Sequence, residues 1–152
     1  MEKTGLRVLL VDDDKSLLEI LGTILELDGH SVTKANSAHQ GMASMRDRTF
    51  DLVLADLKMP RTTGIDLLRA IREDFPETKV VIMTAYASVN STVEAMRLGV
   101  YDYLPKPFKL ADLRTILDRV IREHRSETPS SASLAPVVPA SNGSDTADET
   151  VG

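Results

Sequence analysis

The stretch DLVLADLKMPRTTG, residues 51–64, is the one around which the predicted fold is built. It opens with an apolar run, residues 52–55, which ends abruptly at Asp56. A polar turn with a Met-Pro pair follows, and Gly64 closes that turn. The apolar run is too short for a helix and is bounded by turn residues, so it predicts a buried strand. An acid at the end of such a strand lies at the mouth of a core, where chemistry can be done on it.

Short apolar runs alternate with longer amphipathic segments along most of the chain. Strands are predicted at residues 6–11, 30–35, 52–56, 79–84 and 100–104. Helices are predicted at residues 16–29, 38–48, 65–74, 88–99 and 110–125, with Asp14, Ser37 and Ser88 as N-caps and Gly29 and Gly99 as C-caps. Because strands that alternate with helices demand right-handed crossovers, we predict an α/β fold with a doubly wound, five-stranded parallel sheet and helices on both faces.

Composition narrows the classes of function. The chain has 152 residues and no cysteine, which excludes disulfides and thiol-based sites and fits a cytoplasmic location. No long apolar segment follows the N-terminus, which argues against a signal peptide and a membrane anchor. Residues 127–152 carry four acids and no base, so the first 126 residues carry the other 19 acids and all 18 bases. Because the net charge of these 126 residues is close to zero, we predict that this segment does not bind nucleic acid directly.

The character of the sequence changes after Arg125. Ser, Thr, Pro and Ala dominate the remaining residues, and no aromatic residue occurs among them. Such a composition cannot bury enough apolar surface to offset the entropy of ordering the chain. We therefore predict one domain over residues 1–126 and a flexible linker or tail over residues 127–152.

Polar residues follow four of the predicted strands at the points where the strands end: Asp12 and Asp13, Asp56, Thr84 and Lys106. In a doubly wound sheet these ends gather at one edge, so we expect the side chains to converge. Three converging carboxylates repel one another unless a cation joins them, and Mg²⁺ is the usual choice for a small oxygen-ligated site. A lysine and a hydroxyl suit phosphoryl oxygens, and an aspartate is a competent nucleophile for phosphoryl transfer. The pattern predicts a magnesium-dependent phosphoryl site.

Four blocks of the sequence resemble the signature blocks of the receiver domain of bacterial two-component response regulators: LLVDDDKSLL, DLVLADLKMPRTTGIDLL, VVIMTAYASV and GVYDYLPKPFKLADL. The resemblance covers residues 6–125. It implies a flavodoxin-like (CheY-like) fold with strand order 2-1-3-4-5, and a phosphoacceptor switch instead of an enzyme that acts on other substrates. Within the family, DLKMP, MTAYASV, VEAMRLGVYDYL and KPF are most similar to receivers of NtrC-like regulators, which activate sigma-54 promoters.

The resemblance also implies the roles of the acids. Asp56 is the phosphoacceptor, which takes a phosphoryl group from a sensor histidine kinase or a phosphotransfer protein. Asp12 and Asp13 bind Mg²⁺ together with Asp56 and the backbone carbonyl of Lys58.

A second group of residues is implied to hold and sense the phosphoryl group. Lys106 holds it, Thr84 swings toward it, and Tyr103 is the aromatic switch that follows Thr84. Tyr86 occupies a position that tunes dephosphorylation in the family. The bond between Lys106 and Pro107 is cis in the family.

The expected output is a change of surface. Phosphorylation adds charge and acceptor oxygens at the strand ends. We expect this to reshape the face made by the helix at 88–98, the strand at 101–104 and the helix at 109–125, which then forms a homodimer or contacts a partner.

Two other hypotheses compete with this one. The block Asp12–Ser16 also resembles the opening of haloacid-dehalogenase-like phosphatases, in which Asp12 would be the nucleophile and Asp14 the acid–base. That assignment leaves Asp56 without a role, and no further acidic motif follows Lys106. The third hypothesis is a receiver-like scaffold that signals without phosphate, which predicts no binding of Mg²⁺.

Overall fold

The structure, a computed structural model, describes residues 5–59, 63–85 and 88–127. In that part of the chain, strands and helices alternate strictly, as the sequence pattern predicts. The strands are β1 (Arg7–Val11), β2 (Ser31–Ala35), β3 (Leu52–Asp56), β4 (Lys79–Thr84) and β5 (Asp102–Pro105). The helices are α1 (Lys15–Leu27), α2 (Ala38–Asp47), α3 (Gly64–Asp74), α4 (Val89–Arg97) and α5 (Leu110–Glu127).

The five strands form one parallel sheet in the order β2-β1-β3-β4-β5. Both the doubly wound class and the strand order are therefore confirmed. The register aligns Val11 of β1 with Ala55 of β3, so Asp12 and Asp56, the next residues along the chain, lie side by side. The order reverses between β1 and β3, which is where a sheet of this kind opens a crevice at its carboxyl edge.

Both faces of the three central strands, β1, β3 and β4, are buried. On one face, Leu9, Val53 and Ile82 belong to a cluster that also takes in buried residues of α2, α3 and α4. Their neighbours along the strands, such as Leu10 and Leu54, point the other way and are equally buried. The leucines that α1 buries lie outside the first cluster. Burial on both faces explains why the strands read as unbroken apolar runs.

Local capping explains where most helices begin and end. Asp14 accepts a hydrogen bond from the backbone N–H of Leu17 at 3.1 Å, and Ser37 and Ser88 cap α2 and α4 in the same manner. After α1 and α4 the chain turns through Gly29 and Gly99, whose φ angles of 100° and 84° favour glycine. The three N-cap predictions are confirmed, whereas the C-cap residues are Asp28 and Leu98, each one residue before the predicted glycine.

Every boundary lies within two residues of the predicted one, and two of the differences have a clear structural cause. β5 begins at Asp102, two residues later than predicted, because the N–H of Val100 is used to close α4 by donating to the carbonyl of Ala95 at 3.1 Å. α3 begins at Gly64, which was expected to close the preceding turn. Thr63 caps this helix in a reciprocal arrangement with Asp66, so the turn ends one residue earlier.

The chain divides into two compact units, Met1–Leu117 and Asp118–Gly152. The first unit contains the whole sheet, the first four helices and the start of α5. In the second unit, the described residues are the last turns of α5, which ends at Glu127. The predicted tail from residue 128 onward lies outside the described residues, so the predicted boundary at residue 126 stays a prediction. Across the residues that are described, no helix combines the length and hydrophobicity that a membrane span requires.

Gly64 lets the loop after β3 return onto its own starting point. Its N–H donates to the carbonyl of Leu57 at 2.7 Å. A β-carbon at this position would meet the carbonyl oxygen of Asp56 and would lie 2.8 Å from the Cα of Leu57. Both are backbone atoms, which cannot rotate away as a side chain could. The close approach therefore requires glycine.

Replacing Gly64 by alanine is expected to lower the free energy of unfolding by about 1–3 kcal/mol, because the added methyl overpacks a backbone contact. Gly22→Ala is the matched control, since its β-carbon would approach only the flexible side chain of Lys34, at 3.4 Å. That change lies inside α1 and should be neutral or stabilising by up to about 1 kcal/mol. Urea unfolding followed by circular dichroism compares the two, and equal stabilities would contradict the close approach.

Candidate functional site

The carboxyl edge of the sheet gathers the acids that the sequence singled out. Asp12, Asp13 and Asp56 offer carboxylate oxygens that all lie within 4.8 Å of one another. Asp12 is fully buried and Asp56 is 6 % exposed, whereas Asp13 is exposed. β1 and β3 bring them together because the two strands are neighbours and end in register. The predicted convergence is present for all three residues.

Lys106 contacts two of these acids, although it lies 94 and 50 residues from them in the sequence. Its Nζ lies 2.7 Å from Oδ2 of Asp12 and 3.1 Å from Oδ2 of Asp56. The backbone of Lys106 is fixed beside β4, because its N–H donates to the carbonyl of Thr84 at 2.8 Å. The peptide bond between Lys106 and Pro107 is cis, as the family resemblance implied. One ammonium group thus neutralises part of the charge that two buried carboxylates bring together.

Burial and the neighbouring charges act in opposite directions on the pKa of Asp12, and likewise on the pKa of Lys106. Burial raises the pKa of Asp12 above its ordinary value, although hydrogen bonds from Lys106 and from the N–H of Asp14 act to lower it. Burial acts to lower the pKa of Lys106, but its hydrogen bond to Asp12 and the negative charges of Asp12 and Asp56 outweigh burial and leave that pKa raised. Lys106 therefore stays protonated at neutral pH and keeps its charge available at the strand ends.

Backbone amides fix the orientation of the two buried acids. The N–H of Asp14 donates to Oδ1 of Asp12 at 2.9 Å, and the N–H of Lys58 donates to Oδ1 of Asp56 at 3.1 Å. Each carboxylate therefore uses one oxygen for a backbone amide two residues ahead and the other for Lys106. Both acids are preorganised in one orientation by the chain that immediately follows them.

The donor set fits a hard divalent cation. It consists of carboxylate oxygens alone, two of them nearly or fully withdrawn from water, and such oxygen-rich sites suit Mg²⁺. The backbone of Lys58 lies beside the cluster because its N–H is bonded to Asp56. When bound there, a Mg²⁺ ion would neutralise the negative charge of phosphoryl oxygens.

Thr84 and Tyr103 lie on the adjacent strands β4 and β5. Thr84 is fully buried at the end of β4, one residue beyond Met83, which is the register partner of Asp56. Tyr103 pairs with Ile82 in the register of β4 and β5, and its ring packs against the core cluster. Its hydroxyl is buried and finds no hydrogen-bond partner among the described residues. Tyr86 lies outside the described residues.

Some features of the site were not visible in the sequence. An ion pair between Arg69 of α3 and Glu94 of α4, 2.6 Å long, spans the cleft beside the loop that follows Asp56. Its residues are 25 positions apart and belong to no motif, so only the packing of two helices reveals it. The capping box of Thr63 and Asp66 does have a sequence signal, because a threonine three residues before an acid at a helix start is typical of that motif.

The residue from the phosphatase hypothesis has another use in this fold. Asp14, which would be the acid–base, accepts the capping hydrogen bond of α1 from Leu17. Its backbone N–H holds Asp12. Both of these contacts give Asp14 a structural role.

Comparison with known proteins agrees with this geometry. Residues 8–118 match the family described as the response regulator receiver domain. The chain is 42% identical over 131 residues to the response regulator protein FleR of Pseudomonas aeruginosa, covering 86% of this chain and 27% of FleR. It is 39% identical over 132 residues to the transcriptional regulatory protein ZraR of Escherichia coli K12, covering 85% of this chain and 30% of ZraR. The chain thus spans less than a third of the length of either relative.

Solved structures give the same result. A CheY-like response regulator receiver domain protein from Methanospirillum hungatei superposes with a TM-score of 0.77 at 33% identity, covering 80% of this chain and 97% of that one. NtrX from Brucella abortus, in complex with ADP, superposes with a TM-score of 0.74 at 30% identity, covering 81% of this chain and 28% of that one. These matches confirm the receiver resemblance and give the phosphatase hypothesis no support. The chain belongs to the response regulator receiver domain family.

Proposed function

We propose that this receiver domain is a phosphorylation switch whose phosphoacceptor is Asp56. The observation that carries the proposal is the placement of the Lys106 ammonium between Asp12 and Asp56, within 3.1 Å of both, at an edge that also holds Asp13. An aspartate flanked by a cation and further acids has the means to attack a phosphorus atom and to hold the product. The proposed donor is a sensor histidine kinase or a phosphotransfer protein.

The proposed reaction is a phosphoryl transfer in line with the attacking oxygen. One carboxylate oxygen of Asp56 forms a bond to phosphorus while the bond between phosphorus and the donor's imidazole nitrogen breaks, and the imidazole leaves with the bonding electrons. Lys106 already lies 3.1 Å from Asp56 and would donate to a phosphoryl oxygen. Asp12, Asp13 and Asp56, with the backbone carbonyl of Lys58, are the residues proposed to hold Mg²⁺.

The proposed response begins at Thr84 and Tyr103. Thr84 is buried one residue beyond the register partner of Asp56, and this position supports the proposal that its hydroxyl engages a phosphoryl group there. No hydrogen bond among the described residues holds the Tyr103 hydroxyl, so none of those has to break before the ring moves toward Thr84. The surface proposed to change comprises α4, β5 and the part of α5 up to Leu117, and we propose that it controls homodimerisation or an output partner.

The relatives suggest what the switch controls. FleR is named a response regulator and ZraR a transcriptional regulatory protein, and the chain corresponds to less than a third of each. We propose that the receiver regulates transcription as part of an NtrC-like activator of sigma-54 promoters. In such an arrangement, other parts of the protein contact DNA.

Incubation with radiolabelled acetyl phosphate and Mg²⁺ is expected to label the wild-type chain, because acetate can leave as Asp56 forms its bond to phosphorus. Asp56→Asn should lose the label completely, and Asp47→Asn, which alters an exposed acid on α2, should keep it. Gel autoradiography measures the outcome. A label that persists in Asp56→Asn and vanishes in Asp12→Asn would favour the phosphatase chemistry instead.

Mg²⁺ is expected to stabilise the folded chain, since its ligands come together only in that state. At a concentration tenfold above the dissociation constant, the gain should be about 1.4 kcal/mol. Asp13→Asn should lose most of this gain without weakening the metal-free fold, because Asp13 is exposed.

Thermal unfolding at ionic strength matched with NaCl measures both quantities. If Asp13→Asn were stabilised by Mg²⁺ as strongly as the wild type, the proposed metal site would be wrong.

Binding of beryllofluoride with Mg²⁺, which mimics the phosphoryl group, is expected to change amide hydrogen exchange in α4 and β5. β2, at the other edge of the sheet, should exchange as before and serves as an internal control. Mass spectrometry of peptic fragments reports both regions, with Asp56→Asn as the non-responding variant. Unchanged exchange in α4 and β5 would contradict the proposed output face.

A further inference from the structure

Helix α4 is held in place by little apolar burial. Among its residues only Ala95 is buried, whereas α3 buries five. Three of its hydrophobic side chains are exposed, with fractions of 80 % for Val89, 43 % for Val93 and 57 % for Met96. Since burial of apolar surface is the main force that fixes a helix on a sheet, polar contacts contribute a larger share of what positions α4.

The two ends of α4 are attached differently. At the C-terminal end, the N–H of Val100 donates to the carbonyl of Ala95, and the N–H of Tyr101 donates to the carbonyl of Val80 in β4 at 2.7 Å. At the N-terminal end, the capping hydrogen bonds between Ser88 and Ser91 stay within the first turn of the helix. The C-terminal end is therefore tied to the sheet, and a tie near the middle of the helix would help to set the angle at which the helix lies.

Arg69 and Glu94 supply that tie. Nη2 of Arg69 lies 2.6 Å from Oε2 of Glu94, and Nη1 lies 3.3 Å from Oδ1 of Asp66 on its own helix. The two side chains bridge a cleft of about 550 Å³ between α3 and α4, whose wall also includes Leu57 and Lys58. These are the two residues that follow Asp56, so the cleft borders the proposed phosphoacceptor.

Polar contacts, with the peptide bond between Thr63 and Gly64 among them, join this tie to the loop after Asp56. Leu57 accepts from the N–H of Gly64, and Thr63 donates its N–H to Oδ2 of Asp66 at 3.3 Å. Asp66 in turn accepts from Arg69, which reaches Glu94 on α4. The loop that follows the phosphoacceptor and the helix proposed to move are thus linked by a route separate from β4.

We propose that the ion pair between Arg69 and Glu94 is a latch that holds α4 in its unphosphorylated position. This proposal rests on the proposed phosphorylation of Asp56. In the position of α4 that the structure shows, the pair is formed, so a displacement of α4 away from α3 must separate two charges that lie 2.6 Å apart. Any group that stabilises the displaced state then binds more tightly when the latch is absent, because linkage between two states is reciprocal.

Calorimetric titration of the 152-residue chain with beryllofluoride in the presence of Mg²⁺ tests the latch. Glu94→Gln and Arg69→Gln should each bind the mimic about two- to fivefold more tightly than the wild type, which is the range open to an exposed ion pair. The double variant should match either single one, because both changes remove the same contact. Arg69→Lys keeps the charge and should stay close to the wild type.

Glu19→Gln is the matched control. It breaks another exposed ion pair between neighbouring elements, that of Glu19 in α1 with Lys34 in β2, which are 3.2 Å apart. This variant should bind the mimic as the wild type does, and thermal unfolding without ligand separates any general loss of stability from the change in affinity.

The outcomes distinguish the latch from the site itself. Wild-type affinity in Glu94→Gln, or effects of the two single changes that add in the double variant, would overturn the latch while leaving the phosphoacceptor intact. Saturable binding that is equal in the wild type and in Asp56→Asn, or absent from the wild type, would overturn the proposed phosphoacceptor and the latch with it.

Discussion

The ammonium group of Lys106 lies between two carboxylates that the chain brings together from 94 and 50 residues away. Asp12 is fully buried and Asp56 nearly so, and an ionised carboxylate withdrawn from water is costly unless a positive charge and hydrogen bonds accompany it. The lysine reaches both acids because the carbonyl of Thr84 holds its backbone at the end of β5. This contact depends on the strand order, the register and the lengths of the strands. A slip of one residue in the register would turn each acid to the opposite face of the sheet.

The same contact explains why the proposed chemistry needs a second cation. Lys106 carries one positive charge, and the cluster holds three carboxylates before any phosphoryl group arrives. A divalent ion on the exposed side, where Asp13 lies, would balance the remainder. In the proposed switch, Lys106 would balance part of the negative charge and the metal held by the three acids would balance the rest.

The sequence predicts more of the fold than of the contacts around the site. Two-sided burial leaves a strong pattern, so the strands and their parallel direction could be predicted, and capping residues such as Asp14 marked the helix starts. The strand order, in contrast, was implied by the family resemblance. The convergence of Asp12, Asp56 and Lys106 followed from their places at strand ends. The late start of β5 did not, because only the hydrogen bond from Val100 to Ala95 reveals it. The contact between Arg69 and Glu94 depends on how two helices pack, which has no periodic signature.

The small apolar area that α4 buries has a consequence for the equilibrium between the two positions proposed for this helix. Shifting a two-state equilibrium from one extreme to the other takes about 5.5 kcal/mol, whereas the burial of one methyl group contributes only about 0.8 kcal/mol. A few new hydrogen bonds are therefore enough to move a helix that buries a single alanine. Single surface substitutions can also change the equilibrium between its positions. In the proposed two-state switch, substitutions on the outer face of α4 would reset the resting population of this receiver and leave the proposed site residues as they are.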